Sequence, residues 1–112
     1  MKKIEVVIRP SKLEDLKAAL DKIDVRGMTV YDVKGRGLQR NQKQYYRGQE
    51  HSIDLLPKVK MEIVCQDESV ENIISTILKI CMTGKVGDGK IFVYPLDRII
   101  RISSREEGGA AL

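Results

Sequence analysis

The sequence predicts an α+β fold of the ferredoxin-like kind, a βαββαβ sheet carrying both helices on one face, with a long loop between strands 2 and 3. Three observations predict it. Two stretches alternate largely between apolar and polar residues, as half-buried strands do, and two others repeat apolar residues at helical spacing. The order along the chain is strand, helix, strand, long loop, strand, helix, strand, whose natural packing is a single sheet. Finally, 112 residues of which 42% are hydrophobic supply one domain over 1–112 with its own core.

Residues 3–9 form the first strand, with Ile4, Val6 and Ile8 on one side and Lys3, Glu5 and Arg9 on the other. Pro10 ends it. Ser11 followed by Glu14 reads as a capping box, and Leu13, Leu16, Leu20 and Ile23 carry the helix through 11–23. Gly27 permits a turn, and residues 28–34 are rich in β-branched and aromatic side chains, which favours a second strand. From 35 to 54 the apolar pattern stops, and the run Gln39-Arg40-Asn41-Gln42-Lys43-Gln44 offers nothing to bury, so a loop is expected. A loop of that length inside a compact domain is usually functional.

After Pro57, Val59, Met61, Ile63 and Cys65 face one way while Lys58, Lys60 and Glu62 face the other. Asp67 or Ser69 caps a second helix whose stripe is Val70, Ile73, Ile74, Ile77 and Cys81, ending near Gly84. Residues 91–94 make the fourth strand, 99–102 a short extension, and 106–111 a mobile tail. The sheet face away from the helices, with Lys3, Glu5, Lys60, Glu62 and Val64, is only partly polar and is left open between water and another subunit.

Composition removes most catalytic classes. One His and two isolated Cys give no metal-ligand spacing and no orientable nucleophile and base. Cys65 and Cys81 each sit in an apolar run, where a thiol packs as a small hydrophobe in a reducing compartment. Met1-Lys2-Lys3 starts like a signal peptide, but Glu5 and Arg9 interrupt any apolar region behind it, and no run approaches the roughly 18 apolar residues of a membrane span.

Two segments carry chemistry. Residues 84–91, Gly-Lys-Val-Gly-Asp-Gly-Lys-Ile, nearly match a P-loop, yet Ile91 stands where the Mg²⁺-binding hydroxyl belongs. The segment also leaves a helix for a strand, the reverse of a P-loop, so a P-loop NTPase is rejected. Closely spaced glycines still let backbone N–H groups turn toward an anion, with Lys90 as a compact cation; a solvated helix-to-strand turn is the equal alternative. The long loop carries Lys34, Arg36, Arg40, Lys43 and Arg47 without an acid, interleaved with Tyr45 and Tyr46. That pattern is only a weak signal for single-stranded nucleic acid, since two adjacent Tyr make no strand-borne aromatic platform, and a flexible protein-docking loop explains the same composition.

The residues Thr83-Gly84-Lys85-Val86-Gly87-Asp88-Gly89-Lys90-Ile91-Phe92-Val93 resemble the C-terminal signature of the PII nitrogen-regulatory family. Gly27-Met28-Thr29, Val33-Lys34-Gly35, Gly37, Gln39, Tyr46-Arg47-Gly48, Leu56-Pro57-Lys58-Val59-Lys60 and Arg101 extend the resemblance across the whole chain. The resemblance implies a non-enzymatic homotrimer with nucleotide clefts between neighbours. Each cleft is lined by the base of the long loop, the 84–90 loop and the C-terminal segment 103–112. It implies ATP or ADP as competing ligands, 2-oxoglutarate bound with Mg²⁺-ATP, and residues 37–54 as a flexible loop that docks on an ammonium transporter or a nitrogen-assimilation enzyme or regulator. It places the protein in the cytoplasm, drawn to the inner membrane face where the target is a transporter, with no nucleic acid among its partners.

Carried over by residue, Gly87, Asp88, Gly89 and Lys90 hold phosphates and nearby ribose, Thr29 and Val64 the adenine, and Gly35 and Gly37 let the loop base approach. Arg101 adds charge toward the phosphates. Gln39 orients Mg²⁺ and 2-oxoglutarate, Lys58 faces a carboxylate of the metabolite, and Gly87 borders it. Leu38 and Ser103 stand at two further nucleotide positions where many members carry Arg, so two guanidinium groups are missing near the third phosphate; Arg36, Arg98 and Arg105 are the candidate replacements. His51 stands where many members carry a nucleotidylated Tyr, and Gln49 where some carry a phosphorylated Ser. An imidazole forms no tyrosyl diester, so no modification is expected at His51, which leaves Tyr45, Tyr46 and Ser52 as alternative acceptors.

Overall fold

The computed structural model describes residues 1–37, 42–46, 49–53 and 55–112, with 42–46 and 49–53 described as backbone. Strands β1 (Lys2–Ile8), β2 (Thr29–Gly35), β5 (Leu56–Cys65) and β6 (Lys90–Pro95) form one sheet in the order β2-β5-β1-β6. Every neighbouring pair is antiparallel. Helices α1 (Leu13–Asp21) and α2 (Val70–Cys81) cover one face, which is the ferredoxin-like arrangement.

Alternation explains the layering. Ile4, Val6 and Ile8 of β1 and Val59, Met61, Ile63 and Cys65 of β5 are buried together with Leu16 and Leu20 of α1 and Ile73, Ile77 and Cys81 of α2. Both thiols are buried in this core, where desolvation pushes each above its ordinary pKa. No helix among the described residues is long and apolar enough to cross a membrane.

Helix boundaries differ from the sequence expectation. Pro10 opens a single 3-10 turn, Pro10–Lys12, so the chain is already winding at Ser11 and the Ser11/Glu14 capping box does not form. Glu14 pairs instead with Lys17 at 3.2 Å. α1 stops at Asp21 rather than Ile23, because Asp24 takes the left-handed conformation at φ 63° and closes the turn. At α2 neither expected cap is made: Asp67–Ser69 form a 3-10 turn, and Asp67 accepts the N-terminal ammonium at 3.0 Å.

Three further expectations are corrected. The long connection contains two strands, β3 (Gln42–Tyr46) and β4 (Gln49–Ile53), paired antiparallel as a separate two-stranded sheet. Apolar periodicity is the strand signal, and these polar segments lack it; a two-residue gap containing Gly48 was the available cue. Residues 99–102 add no strand to the sheet, since Ile100 bridges Glu107 instead. The tail is structured through a 3-10 turn, Gly108–Ala111, with Ala111 buried.

On the open sheet face, the register sets Lys3 beside Tyr94, Glu5 beside Phe92 and Tyr31 beside Lys60. Lys3 pairs with Glu62 at 2.8 Å, the Tyr31 hydroxyl also donates to Glu62, and the Tyr94 hydroxyl donates to Glu5 at 3.3 Å. Ammonium groups of Lys3 and Lys60 sit over the rings of Tyr94 and Tyr31 at 5.4 and 5.0 Å. Aromatic bodies are thereby presented outward with their polar tips already satisfied.

Candidate functional site

A cleft of about 810 Å³ opens where the start of β6, the end of β2 and the start of β5 converge. One wall is the end of the connection from α2 to β6, residues 85–89; the other is Gly35, Arg36 and Gly37 at the end of β2, with Leu56 and Lys58 of β5 between them. Gly84, Gly87 and Gly89 hold φ values of 81°, 103° and 102°, a region that side chains rarely adopt. At Gly89 a Cβ would lie 1.7 Å from the Val7 carbonyl oxygen, so only glycine lets the loop run so close to β1.

Asp88 organises this connection. Its Oδ2 accepts the backbone N–H groups of Thr83 at 2.8 Å and Gly84 at 3.0 Å, while Oδ1 accepts the Thr83 hydroxyl at 2.5 Å and Arg9 Nε at 3.4 Å. The Thr83 hydroxyl first, then these amides and Arg9, hold the Asp88 carboxyl at about 2, below its ordinary 3.8. Arg9 also donates to the Val86 carbonyl at 2.8 Å, and Lys58 Nζ donates to the Gly87 carbonyl at 2.8 Å. The loop is thus clamped from β1 and from β5.

The electrostatics favour an anion. Among the described residues, Arg36, Lys58, Lys85 and Lys90 line the cleft with one acid, Asp88, whose charge is already engaged by the loop. Burial, and then the nearby Arg9 guanidinium, depress the Lys58 pKa below its ordinary value, with Asp88 opposing them. Such a lysine regains stabilisation when a carboxylate or phosphate arrives. Val7, Val86 and Phe92 supply an apolar flank beside this charge. Among the described residues no three His, Cys, Asp or Glu side chains gather as a metal site.

A family model for the nitrogen regulatory protein P-II matches residues 1–106. The chain belongs to the PII family. Nitrogen regulatory protein P-II of Pasteurella multocida is 50% identical to it over 112 residues, covering all of both chains. Nitrogen regulatory protein P-II 1 of Escherichia coli K12 and nitrogen regulatory protein P-II of Klebsiella oxytoca are each 49% identical over the same full length. These relatives are named as regulatory proteins, and this PII protein is likewise a regulator rather than an enzyme.

Of the residues expected at a PII site, the structure gathers Gly35, Gly37, Lys58, Gly87, Asp88, Gly89 and Lys90 around one cleft. Thr29 and Val64 lie elsewhere, toward the far end of the open sheet face, where Thr29 pairs with Glu62 and Val64 with Lys3. Six residues of β5 separate Val64 from Lys58, about 20 Å at the usual strand rise. Arg101 and Ser103 do not line this cleft either; both are exposed in the C-terminal segment. Leu38 and Gln39 lie outside the described residues, as do the side chains of Tyr45, Tyr46, His51 and Ser52.

Of the three candidate replacement guanidiniums, only Arg36 lines the cleft; Arg98 is paired with Glu107 at 2.7 Å, and Arg105 is exposed in the C-terminal segment, its backbone N–H donating to the Arg101 carbonyl. Sequence reasoning missed Arg9 as a support of the PII loop. The cue was register: Val7 faces Lys60 across β1 and β5, so Arg9 falls beside Lys58, which only strand pairing reveals.

Proposed function

We propose that this PII protein senses ATP or ADP in the glycine-rich cleft, binds 2-oxoglutarate together with Mg²⁺-ATP, and controls an ammonium transporter or a nitrogen-assimilation enzyme or regulator through residues 37–54. The observation carrying the reading is the cleft itself, in which the described residues set four cations and two glycine-rich segments around one carboxylate already held by its own loop. A polyphosphate needs such cations together with backbone that can approach closely.

In this reading Lys90 pairs with phosphate, and Gly87 and Gly89 keep the loop thin enough for the ligand to rest on main chain. Lys58 receives a metabolite carboxylate, exchanging its contact with the Gly87 carbonyl for a charged partner. Gln39 would hold Mg²⁺ together with the phosphates and the metabolite, which suits a cleft where Asp88 is the only lining acid among the described residues. Gln39 belongs to the same connection as residues 37–54, so ligand binding at the loop base selects one loop arrangement, and the target binds that arrangement.

The protein acts as a cytoplasmic homotrimer. Two features support that assembly: Thr29, Val64, Arg101 and Ser103 lie away from the cleft of their own chain, and the open sheet face presents Tyr31, Phe92 and Tyr94 at about 40% exposure. A neighbouring copy would bring the first set to a cleft and cover the second. Calorimetric titration with ATP and ADP tests the site, with Lys90→Ala as comparison. Loss of about 1.5–3 kcal/mol for both nucleotides is expected, the value of a charged hydrogen bond; equal affinity in the variant removes this loop from the site.

A further inference from the structure

Discrimination between ATP and ADP needs a cation that meets the third phosphate and not the two that both nucleotides carry. A cation on a shared phosphate strengthens both complexes alike and separates neither. The four cations of the cleft stand at different places relative to its glycine-rich loop. Lys85 lies in that loop and Lys90 opens β6 directly after it, so both serve whatever rests on the loop. Lys58 stands between the walls, donates to the Gly87 carbonyl at 2.8 Å and is assigned above to a metabolite carboxylate. Arg36 is carried by the opposite wall, just past the end of β2.

Among the described residues, Arg36 is also the one guanidinium that lines the cleft. Arg9, Arg98 and Arg101 are engaged elsewhere, on Asp88 and the Val86 carbonyl, on Glu107, and on the Leu112 main-chain oxygen respectively. The backbone on the far side of Arg36 leaves room for the end of a ligand. Gly35 pairs with Leu56, and a Cβ on it would touch Lys58 Cγ at 3.4 Å, whereas a Cβ on Gly37 would meet nothing within 4 Å. A guanidinium grips a phosphate through two parallel N–H groups and keeps its charge at every physiological pH, a combination that lysine does not offer.

We infer that Arg36 is the specificity-determining residue of this cleft: it takes the third phosphate of ATP from the wall opposite the glycine-rich loop, while Lys85 and Lys90 hold the phosphates common to ATP and ADP. This rests on the reading of the cleft as a nucleotide site. ADP on the same loop ends short of Arg36 and gains nothing from it. Affinity and discrimination therefore reside on opposite walls, and substitutions separate them.

Calorimetric titration of the full chain with ATP and with ADP, each with Mg²⁺ and without 2-oxoglutarate, tests this directly. Arg36→Ala should weaken ATP binding about ten- to hundredfold, the loss of a charge-assisted hydrogen bond to phosphate, and change ADP binding by less than about twofold. Arg36→Lys keeps the charge without the fork and should restore part of the ATP affinity. Lys90→Ala should weaken both nucleotides and keep their ratio. A merely structural part for residue 36 would move both nucleotides together, so an unchanged ratio of ATP to ADP affinity in Arg36→Ala overturns the inference and leaves the nucleotide site standing. If Arg36→Ala spares both nucleotides but weakens 2-oxoglutarate binding in the presence of Mg²⁺-ATP, the guanidinium serves the metabolite and the inference is wrong. If the parent chain binds neither nucleotide, the cleft reading fails and the inference fails with it.

Discussion

Gly89→Ala is the substitution whose consequence the geometry fixes most tightly. The new Cβ would meet the Val7 carbonyl oxygen at 1.7 Å, and moving to the 3.0 Å below which such contacts essentially never fall takes 1.3 Å of backbone displacement. Both partners are main chain, so no side-chain rotation relieves the clash. Alanine at φ 102° adds a conformational cost of about 1–3 kcal/mol. The displacement falls where β6 begins to pair with β1, at Val7 and Lys90, and loses one or two ladder hydrogen bonds at about 1 kcal/mol each.

Together these give roughly 2–5 kcal/mol, or a melting temperature lowered by roughly 8–20 °C for a domain of this size. Because the displaced loop carries Gly87 and Lys90, ATP affinity should fall at least about tenfold in the same variant. Thermal unfolding at fixed protein concentration and calorimetry measure the two effects. Gly27→Ala is the control: nothing lies within 4 Å of its added Cβ, so stability should hold or rise slightly. A Gly89→Ala protein that melts and binds like the parent would refute the reasoning.

Three further outcomes follow. Lys58→Ala should impair 2-oxoglutarate binding and spare ATP alone, and calorimetry showing equal loss of both would mean that the loop, not the metabolite contact, was damaged. Since a carboxylate beside Lys58 raises its depressed pKa, 2-oxoglutarate binding should take up protons at alkaline pH and weaken as pH rises toward the ordinary lysine value; titrations in buffers of different ionisation enthalpy detect this. Asp88 is depressed from 3.8 to about 2, so its support of the 83–89 loop is complete above 3.8 and lost as pH falls through about 2; the Thr83 and Gly84 amide resonances should titrate with that lower midpoint, and at pH 7 Asp88→Asn should speed their hydrogen exchange.

The layered core was legible because β1, β5 and α2 carry clear periodicities, and Ile4, Met61 and Ile73 are buried where those periodicities place them. Caps were less legible: Ser11 and Asp67 have the right chemistry, but Pro10 and the N-terminal ammonium recruit the backbone and the carboxylate differently. The β3–β4 hairpin escaped because its segments carry no apolar alternation. At the site, the glycines and lysines announced themselves through spacing, while the supporting part of Asp88 and Arg9 depends on which atoms the fold turns toward Thr83 and Val86. A motif names the residues of a loop; it does not say which of them face the ligand and which hold the loop.

The most direct test of the sensor account is calorimetric titration of 2-oxoglutarate into the protein alone, with ATP alone, and with Mg²⁺-ATP. The account predicts ATP binding on its own and 2-oxoglutarate binding only with Mg²⁺-ATP, lost in Lys58→Ala. Binding of 2-oxoglutarate without nucleotide, or its failure to bind in the presence of Mg²⁺-ATP, would contradict the proposed coupling of the two ligands in one cleft.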